Sequence, residues 1–135
     1  YEASDSFPAH YGNPNNRKLE GVEYHDNTME DLKDFSDESK DLIVIVHAFE
    51  HCERPVDALR EFKRVLKTGG CVILVTPHPC KRQIIDADYD PIFCFTEMQF
   101  IRLFAYMEFN QYNSVTQKNW EWLEQDWNVF TVGIK

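Results

Sequence analysis

The strongest constraint on the fold of this chain is a run of five aliphatic residues, Leu42 to Val46, most of them β-branched. A continuous apolar run of this length is typical of a strand that is covered on both faces within a parallel sheet. It is far shorter than the roughly 20 residues that cross a bilayer. We therefore predict a buried strand over Asp41–His47.

A helix and a second apolar strand are predicted to follow. The helix runs from about Arg54 to Lys67, with Pro55 in its first turn and Gly69 as its C-terminal stop. Its apolar face is formed by Val56, Leu59, Phe62 and Leu66. The second strand is Cys71–Thr76. Strand, helix and strand together predict a βαβ unit with a right-handed crossover.

The remaining elements rest on shorter patterns. The stretch 5–18 is rich in proline and asparagine and predicts a loop. The segment 27–40 is polar and acidic, with one helical turn expected around Met29 to Leu32. Further elements are predicted as follows: a strand at Gly21–Asp26, a helix over 96–108 capped by Thr96, and strands at Tyr112–Thr116 and Asn128–Ile134.

Charge and cysteine content exclude several classes of function. The net charge is −9, from 23 acidic and 14 basic residues, and it disfavours nucleic acid as a partner. Without a membrane-length run or a signal peptide, we expect no membrane association and a cytoplasmic location. The spacing of the four cysteines matches no zinc module, so we expect free thiols and no bound metal.

Residues 41–77 carry a specific resemblance. In this stretch an apolar strand begins with Asp41 and is followed by Glu50-His51, then by Glu61-Phe-Lys-Arg-Val-Leu-Lys-Thr-Gly-Gly70, and then by a strand that ends at Pro77. This order of segments is similar to a signature of class I S-adenosylmethionine-dependent methyltransferases. Only Thr68 departs from it, because the family has proline there. The resemblance extends more loosely to Thr28–Leu32 and to the final strand.

The resemblance implies an α/β, Rossmann-like sheet that is mostly parallel, has a C-terminal antiparallel hairpin and takes S-adenosylmethionine as cofactor. The family holds the methionine end of the cofactor on a Gly-x-Gly-x-Gly turn after its first strand, where a Cβ would obstruct the ligand. None of the five glycines of this chain is placed in that pattern. We therefore expect a single incomplete domain, N-terminally truncated so that the first strand and its glycine-rich loop are absent, with residues 1–20 irregular and 21–135 forming the sheet and helices.

The missing first strand would lie beside Leu42–Val46 and leave its edge without a partner. Open apolar edges readily pair with other strands. We expect either that Gly21–Asp26 moves over to pair with this edge, or that a second copy of the chain covers it as a homodimer.

The resemblance also assigns site residues. Glu2 would bind the ribose hydroxyls, unless it is simply a surface residue at a frayed terminus. Thr28 and Met29 would flank the adenine, with Thr28 in place of the usual aspartate. His47 would line the cofactor pocket.

His47 and His51 are candidate catalytic bases at the carboxyl ends of the strands, and His78 is a weaker one. The alternative role for His51 is to shape the loop together with Glu50. Glu61 and Arg64 are predicted to form a structural ion pair.

The sequence is compatible with three functions. The first is the C-terminal portion of a methyltransferase that acts on a small molecule and binds its cofactor weakly or not at all as this chain. The second is a degenerate methyltransferase-like domain that serves as a non-catalytic binding or scaffolding module. The third is an active site completed by a partner chain.

Overall fold

The computed structural model of the chain describes residues 2–4, 20–78, 93–118 and 127–135. The loop predicted over 5–18 lies outside these ranges. The described helices and strands are, in chain order, β1 (Glu2–Ser4), β2 (Glu23–His25), β3 (Lys40–Val46), a short 3₁₀ helix (Phe49–His51), α1 (Pro55–Val65), β4 (Leu66–Pro77), α2 (Glu97–Tyr106), β5 (Gln111–Lys118) and β6 (Trp127–Ile134).

The strands form two sheets. A four-stranded sheet has the order β3-β4-β6-β5, and a separate two-stranded sheet pairs β1 with β2. The β1–β2 and β3–β4 pairs are parallel, whereas β6 runs antiparallel to both β4 and β5. This confirms the α/β fold with a C-terminal antiparallel hairpin, in a sheet that is mixed. Within residues 1–20, which we expected to be irregular, Glu2–Ser4 forms a strand.

The βαβ unit is confirmed, because α1 connects β3 to β4 and these two strands are parallel. The helix ends earlier than predicted, however, at Val65. Leu66 already has extended geometry and pairs with Lys40 across a bulge in the ladder. Gly69, at φ +82°, therefore lies within β4, where its N–H donates to the Lys135 carbonyl at 2.9 Å. It does not terminate the helix.

One face of the four-stranded sheet carries the core. Residues of β4 and β6 that alternate along this face are fully buried, including Val72, Leu74 and Val129. Gly133 is on the same face, and a Cβ there would collide with the Phe104 ring of α2. The helices supply the other half of the core, which comprises Ala58, Leu59, Phe62, Val65, Phe100 and Phe104.

The prediction that β3 is covered on both faces is wrong. Ile43 and Ile45 pack against the core, but Leu42, Val44 and Val46 on the other face are 53%, 53% and 56% exposed. Only the core face of the sheet has described helices against it. A continuous aliphatic run reports strand propensity and cannot tell whether a second layer is present.

The expected movement of Gly21–Asp26 onto β3 is also wrong. β2 pairs instead with β1, with Glu23 opposite Glu2 and His25 opposite Ser4. Contacts with the segment that follows β2 hold the strand in this position: the His25 ring lies 4.7 Å from the Phe35 ring, and His25 Nδ1 is 3.5 Å from Asp34 Oδ2. Among the described strands, β3 therefore pairs only with β4.

Helix α2 begins as the sequence predicts. Thr96 and Gln99 form a reciprocal capping box, in which the Thr96 hydroxyl accepts from the Gln99 N–H at 3.4 Å. At the other end, the Lys63 ammonium of α1 donates to the carbonyls of Met107 and Glu108 at 2.8 and 3.0 Å. This cation fits the negative end of the helix dipole. Across the described ranges, no helix combines the length and hydrophobicity needed to cross a membrane.

Candidate functional site

The parallel strands β3 and β4 have their carboxyl ends side by side, and this end of the strands is where open α/β sheets bind their ligands. His47 follows β3 directly, and its N–H donates to the Val75 carbonyl of β4 at 2.8 Å. Its φ of +49° is uncommon for a residue with a side chain. This turn allows the imidazole to reach across β4, so that Nε2 lies 3.1 Å from Oδ1 of Asn128 on β6.

The contact with Asn128 fixes the state of His47. Because burial disfavours the imidazolium, the pKa of His47 lies below its usual value, and the hydrogen bond to Asn128 offsets only part of this effect. The ring is therefore neutral at pH 7. With the Asn128 carbonyl oxygen as acceptor, Nε2 carries the hydrogen and Nδ1 keeps its lone pair. A neutral imidazole of this kind can take up a proton.

The chain beyond His47 forms the 3₁₀ helix at Phe49–His51. Glu50, which is predicted to shape the loop together with His51, is only 3% exposed. Its carbonyl accepts a hydrogen bond from the Phe93 N–H at 3.0 Å and so ties this helix to the segment before α2. His51 points to the surface and is exposed. Of the three histidines predicted as bases, His47 and His78 are partly buried and His51 is exposed.

Thr28 and Met29 occupy a turn after β2, closed by the Asp31 N–H donating to the Thr28 carbonyl at 3.2 Å. The helical turn expected at this position is absent from the described structure, which has the isolated bridge Thr28–Asp31 instead. Thr28 is exposed, whereas Met29 is half-buried against the core.

Glu30 fastens this turn to the chain that follows the 3₁₀ helix. Its Oε1 accepts from the Cys52 thiol at 3.0 Å and from the Arg54 N–H at 3.2 Å. Burial and the neighbouring carboxylate raise the pKa of Cys52 to about 12, so this thiol stays protonated and donates. The turn with the predicted adenine residues is thereby attached close to where β3 ends.

Arg64 of α1 organises the acidic segment between this turn and β3. Its guanidinium forms the predicted ion pair with Glu61 at 2.7 Å. It also donates to the carbonyls of Leu32 and Phe35 at 3.0 and 2.9 Å, and to Asp37 at 2.6 Å. The ion pair is thus structural, and it holds the loop that leads into β3.

Glu2, the predicted ribose ligand, belongs to the two-stranded sheet, where it pairs with Glu23. The four-stranded sheet that carries His47 is separate from it. Strand pairing therefore brings the end of β2 beside β1, but it does not connect Glu2 with the strands that position His47.

Several polar residues at this edge were not singled out from the sequence. Asn128 is fully buried on β6, and Thr76 is fully buried near the end of β4, with no hydrogen-bond partner for its hydroxyl among the described residues. His78 lies 3.9 Å from Glu97, and the pKa of the Glu97 carboxyl is lowered chiefly by the neighbouring Thr116 side chain. In the sequence, only the position of a polar residue within an apolar strand, as for Thr76, could have indicated these site residues.

The aromatic and cysteine side chains around this part of the sheet have simpler environments. Phe95 is buried in the core and Phe93 is 37% exposed. Cys52, Cys71 and Cys94 are free thiols, and Cys80 is not described. Within the described ranges, no three His, Cys, Asp or Glu side chains come together in a way that could hold a metal ion.

Comparison with known families gives a match to the methyltransferase domain over residues 5–74, which is 70 of the 135 residues. No protein of curated function matches the sequence.

Solved structures share the fold at low sequence identity. An S-adenosylmethionine-dependent methyltransferase of Thermotoga maritima is 22% identical with a TM-score of 0.69, and the alignment covers 85% of this chain and 65% of that one. Another from Archaeoglobus fulgidus is 12% identical with a TM-score of 0.71, covering 99% and 75%. A third from Mesorhizobium loti is 14% identical with a TM-score of 0.68, covering 98% and 79%. The chain thus spans less than two thirds of the Thermotoga protein.

Proposed function

The chain belongs to the methyltransferase-domain family. On that premise we propose that it is part of an S-adenosylmethionine-dependent methyltransferase, namely the part that contains the carboxyl ends of β3 and β4. We propose that this enzyme acts on a small molecule once its cofactor site is complete. The observation that supports this best is His47, a neutral imidazole positioned by Asn128 where the ligands of such sheets lie.

In this proposal each predicted residue has a separate role. His47 lines the pocket, and its Nδ1 accepts the proton that the methyl acceptor loses. Thr28 and Met29 flank the adenine, and Glu2 binds the ribose hydroxyls. His51 is the second candidate base, and its exposure favours the alternative that it shapes the loop. S-adenosylmethionine itself supplies an activated methyl group, so the protein mainly positions the partners and removes a proton.

The residues present do not fit the methionine end of that cofactor. Its recognition needs glycines where the backbone approaches the ligand. Gly21 is in the turn before β2, Gly69 and Gly70 pair with the backbone of Lys135, and Gly133 lies under Phe104. Gly12 is not among the described residues. We therefore propose that this chain alone binds the cofactor weakly and is inactive.

The acceptor is proposed to be a small molecule. The net charge of −9 opposes binding to phosphate backbones. The residues after β3 are His47-Ala-Phe49, whereas nucleobase and glutamine amino-methyltransferases resembling this family carry Asn/Asp-Pro-Pro-Tyr there. The free thiols of Cys52, Cys71 and Cys94 support a reducing, cytoplasmic setting.

Calorimetric titration with S-adenosylhomocysteine tests the weak binding directly. We expect a dissociation constant no tighter than about 1 mM for the 135-residue chain, equivalent to about 4 kcal/mol. Thr28→Asp, which restores the family's usual adenine acceptor, should tighten this, and Asp31→Asn in the same turn is the matched control. Micromolar binding by the unaltered chain would contradict the conclusion that the missing glycine turn limits affinity.

A non-catalytic module is the second candidate, favoured by the neutral Thr28 at the adenine position and by the missing glycine turn. The coding sequence upstream of Tyr1 distinguishes the two. A strand ending in Gly-x-Gly-x-Gly encoded there supports the enzyme, and a start codon directly before Tyr1 supports the module.

A further inference from the structure

We propose that two copies of this chain pair antiparallel through the free edge of β3, with Val44 on the twofold axis, to form one continuous eight-stranded sheet. The inference rests on how β3 differs from the other edge strand and on the direction of its backbone groups. It concerns the 135-residue chain by itself, because in the complete methyltransferase proposed above the family's first strand would occupy the same edge.

The two edges of the four-stranded sheet are unequal. On β5, the outer edge away from β3, the face that carries no described helix has three exposed polar residues, Gln111, Asn113 and Gln117, and one exposed apolar residue, Val115. On β3, the charged residues Lys40 and Asp41 lie at the start of the strand, and the same face then carries Leu42, Val44 and Val46, each more than half exposed. Proteins protect a solvent-facing edge with polar or charged side chains. β5 has this protection along most of its length and the stretch from Leu42 to Val46 does not, which favours pairing at the β3 edge.

The backbone of β3 presents its hydrogen-bonding groups to that edge in a regular pattern. The His47 N–H points towards β4, where it binds the Val75 carbonyl. Because successive residues of a strand direct these groups to opposite sides, those of Leu42, Val44 and Val46 face away from β4. The free edge thus offers three N–H and three C=O groups in an uninterrupted stretch.

Twofold pairing centred on Val44 matches these groups. Val44 then lies opposite Val44 of the second copy, and Leu42 lies opposite Val46. All three pairs are of the hydrogen-bonded type in an antiparallel ladder, which gives six N–H···O bonds. A shift by one residue would put groups that face β4 opposite groups that face outward, and would lose the bonds.

The sequence around Val44 is also self-complementary. Aliphatic residues match aliphatic residues across the axis, so the exposed side chains of β3 gain apolar cross-strand neighbours. At each end of the ladder, Asp41 comes opposite His47 of the second copy. Asp41 has an 81% exposed side chain that already binds Lys67 at 2.8 Å, so no uncompensated charge enters the interface. The run is aliphatic in both directions from Val44, and this favours a second copy over an unrelated strand.

Sedimentation velocity on the 135-residue chain, from about 5 to 200 µM, tests the pairing, because weak specific dimers dissociate in this range. We expect a reversible dimer. Val44→Lys places two like charges opposite each other, and Val44→Pro removes an N–H that none of the described strands binds; each should weaken the dimer at least about tenfold. Val115→Lys, on the exposed face of β5, is the matched control and should change the dissociation constant less than about twofold.

Circular dichroism melting establishes that the variants fold. Amide hydrogen exchange in the unaltered chain gives a second, variant-free measurement, in which Leu42, Val44 and Val46 become protected as the concentration rises and Gln111 and Asn113 do not. A chain that stays monomeric at about 200 µM overturns the proposal. So does a dimer that is insensitive to Val44→Pro, and so does protection that develops on β5 instead.

Discussion

The imidazole of His47 bonds across β4 to the amide of Asn128, a residue 81 positions further along the chain, at 3.1 Å. This contact joins β3 to β6 at the carboxyl edge of the sheet. It also leaves Nδ1 as the only basic atom of the ring. Asn128 is therefore a positioning residue for the histidine that we propose as proton acceptor.

Replacing Asn128 by leucine should lower the pKa of His47 further. The hydrogen bond to Asn128 raises this pKa and burial lowers it, so removing the bond while keeping the volume leaves burial alone. NMR titration of the imidazole C–H signals measures the change. Asn113→Leu on the exposed part of β5 is the control and should leave the His47 titration unchanged. A rise in the His47 pKa in Asn128→Leu would contradict the assigned contact.

Stability should depend on pH through the same residue. Because the pKa of His47 is lower in the folded than in the unfolded chain, the unfolded chain binds more protons at acidic pH. This contribution to stability is present above the unfolded value of 6.5 and is lost as the pH falls below it. Urea unfolding between pH 8 and pH 5 measures it. His47→Gln should show a smaller decline than the unaltered chain, whereas an equal decline would rule out His47 as its source.

Arg64→Met should destabilise the chain by about 2 kcal/mol, since it removes the guanidinium that donates to the partly buried Leu32 and Phe35 carbonyls and leaves Glu61 with only the Leu32 N–H as a donor. Arg60→Met on the same helix is the control. Arg60 is exposed and contacts only Asp57 in the described ion pairs, so its loss should cost less than about 1 kcal/mol. Chemical denaturation compares the two, and equal losses would contradict the structural role of Arg64.

Arg64 also determines a second pH effect. Its hydrogen bonds to Glu61 lower the pKa of that carboxyl below 4.5. The resulting stability is present above the unfolded value and is lost as the pH falls through the folded one. Below pH 4 the difference between Arg64→Met and the unaltered chain should therefore shrink. A difference that is constant from pH 7 to pH 3 would show that the guanidinium acts without Glu61.

Gly133→Ala should destabilise the chain by about 3 kcal/mol, because a Cβ there overlaps the buried Phe104 ring and lies 3.1 Å from Phe109. Both rings are packed tightly, with centroids 4.6 Å apart, and have no room to move. Gly21→Ala, which meets nothing within 4 Å but has a φ of +77°, should cost only about 1 kcal/mol. Thermal unfolding ranks the two, and the reverse order would contradict the packing of α2 on β6.

Cys52 should resist alkylation. With a pKa of about 12 its thiolate fraction at pH 8 is on the order of 10⁻⁴, and the thiol is buried beside Glu30. Cys94 is exposed and serves as the internal reference. Timed treatment with iodoacetamide and peptide mapping should show Cys94 modified and Cys52 intact. Comparable rates at the two cysteines in the folded chain would contradict the Glu30–Cys52 contact.

Local signals in the sequence were reliable where neighbouring residues decide the structure. Thr96 and Gln99 form the predicted cap, because both partners lie within one helical turn. The end of α1 was misjudged because Leu66 is drawn into the sheet by Lys40, a pairing between residues 26 positions apart. The Gly-Gly pair, which locally resembles a helix stop, serves the contact with Lys135.

The candidate site divides in the same way. His47 was found from its place after an apolar strand, but its partner Asn128 was not, since nothing near Asn128 in sequence marks it. Glu30 attaches the Thr28–Met29 turn beside Cys52. This role could not be predicted from the sequence either, because Glu30 is one acidic residue among many. Such contacts depend on which strands become neighbours, and this is settled only when the whole sheet assembles.

The sequence by itself determined the βαβ unit, the family resemblance over residues 41–77 and the missing glycine turn, because these reside in residue identity and short-range spacing. Only the tertiary structure decided that β2 pairs with β1, that β3 has one exposed apolar face and pairs with β4 alone among the described strands, and that His47 contacts Asn128. The physical reason is that hydrophobic pattern reports what a strand can bury, whereas burial itself requires a partner surface that distant parts of the chain must supply.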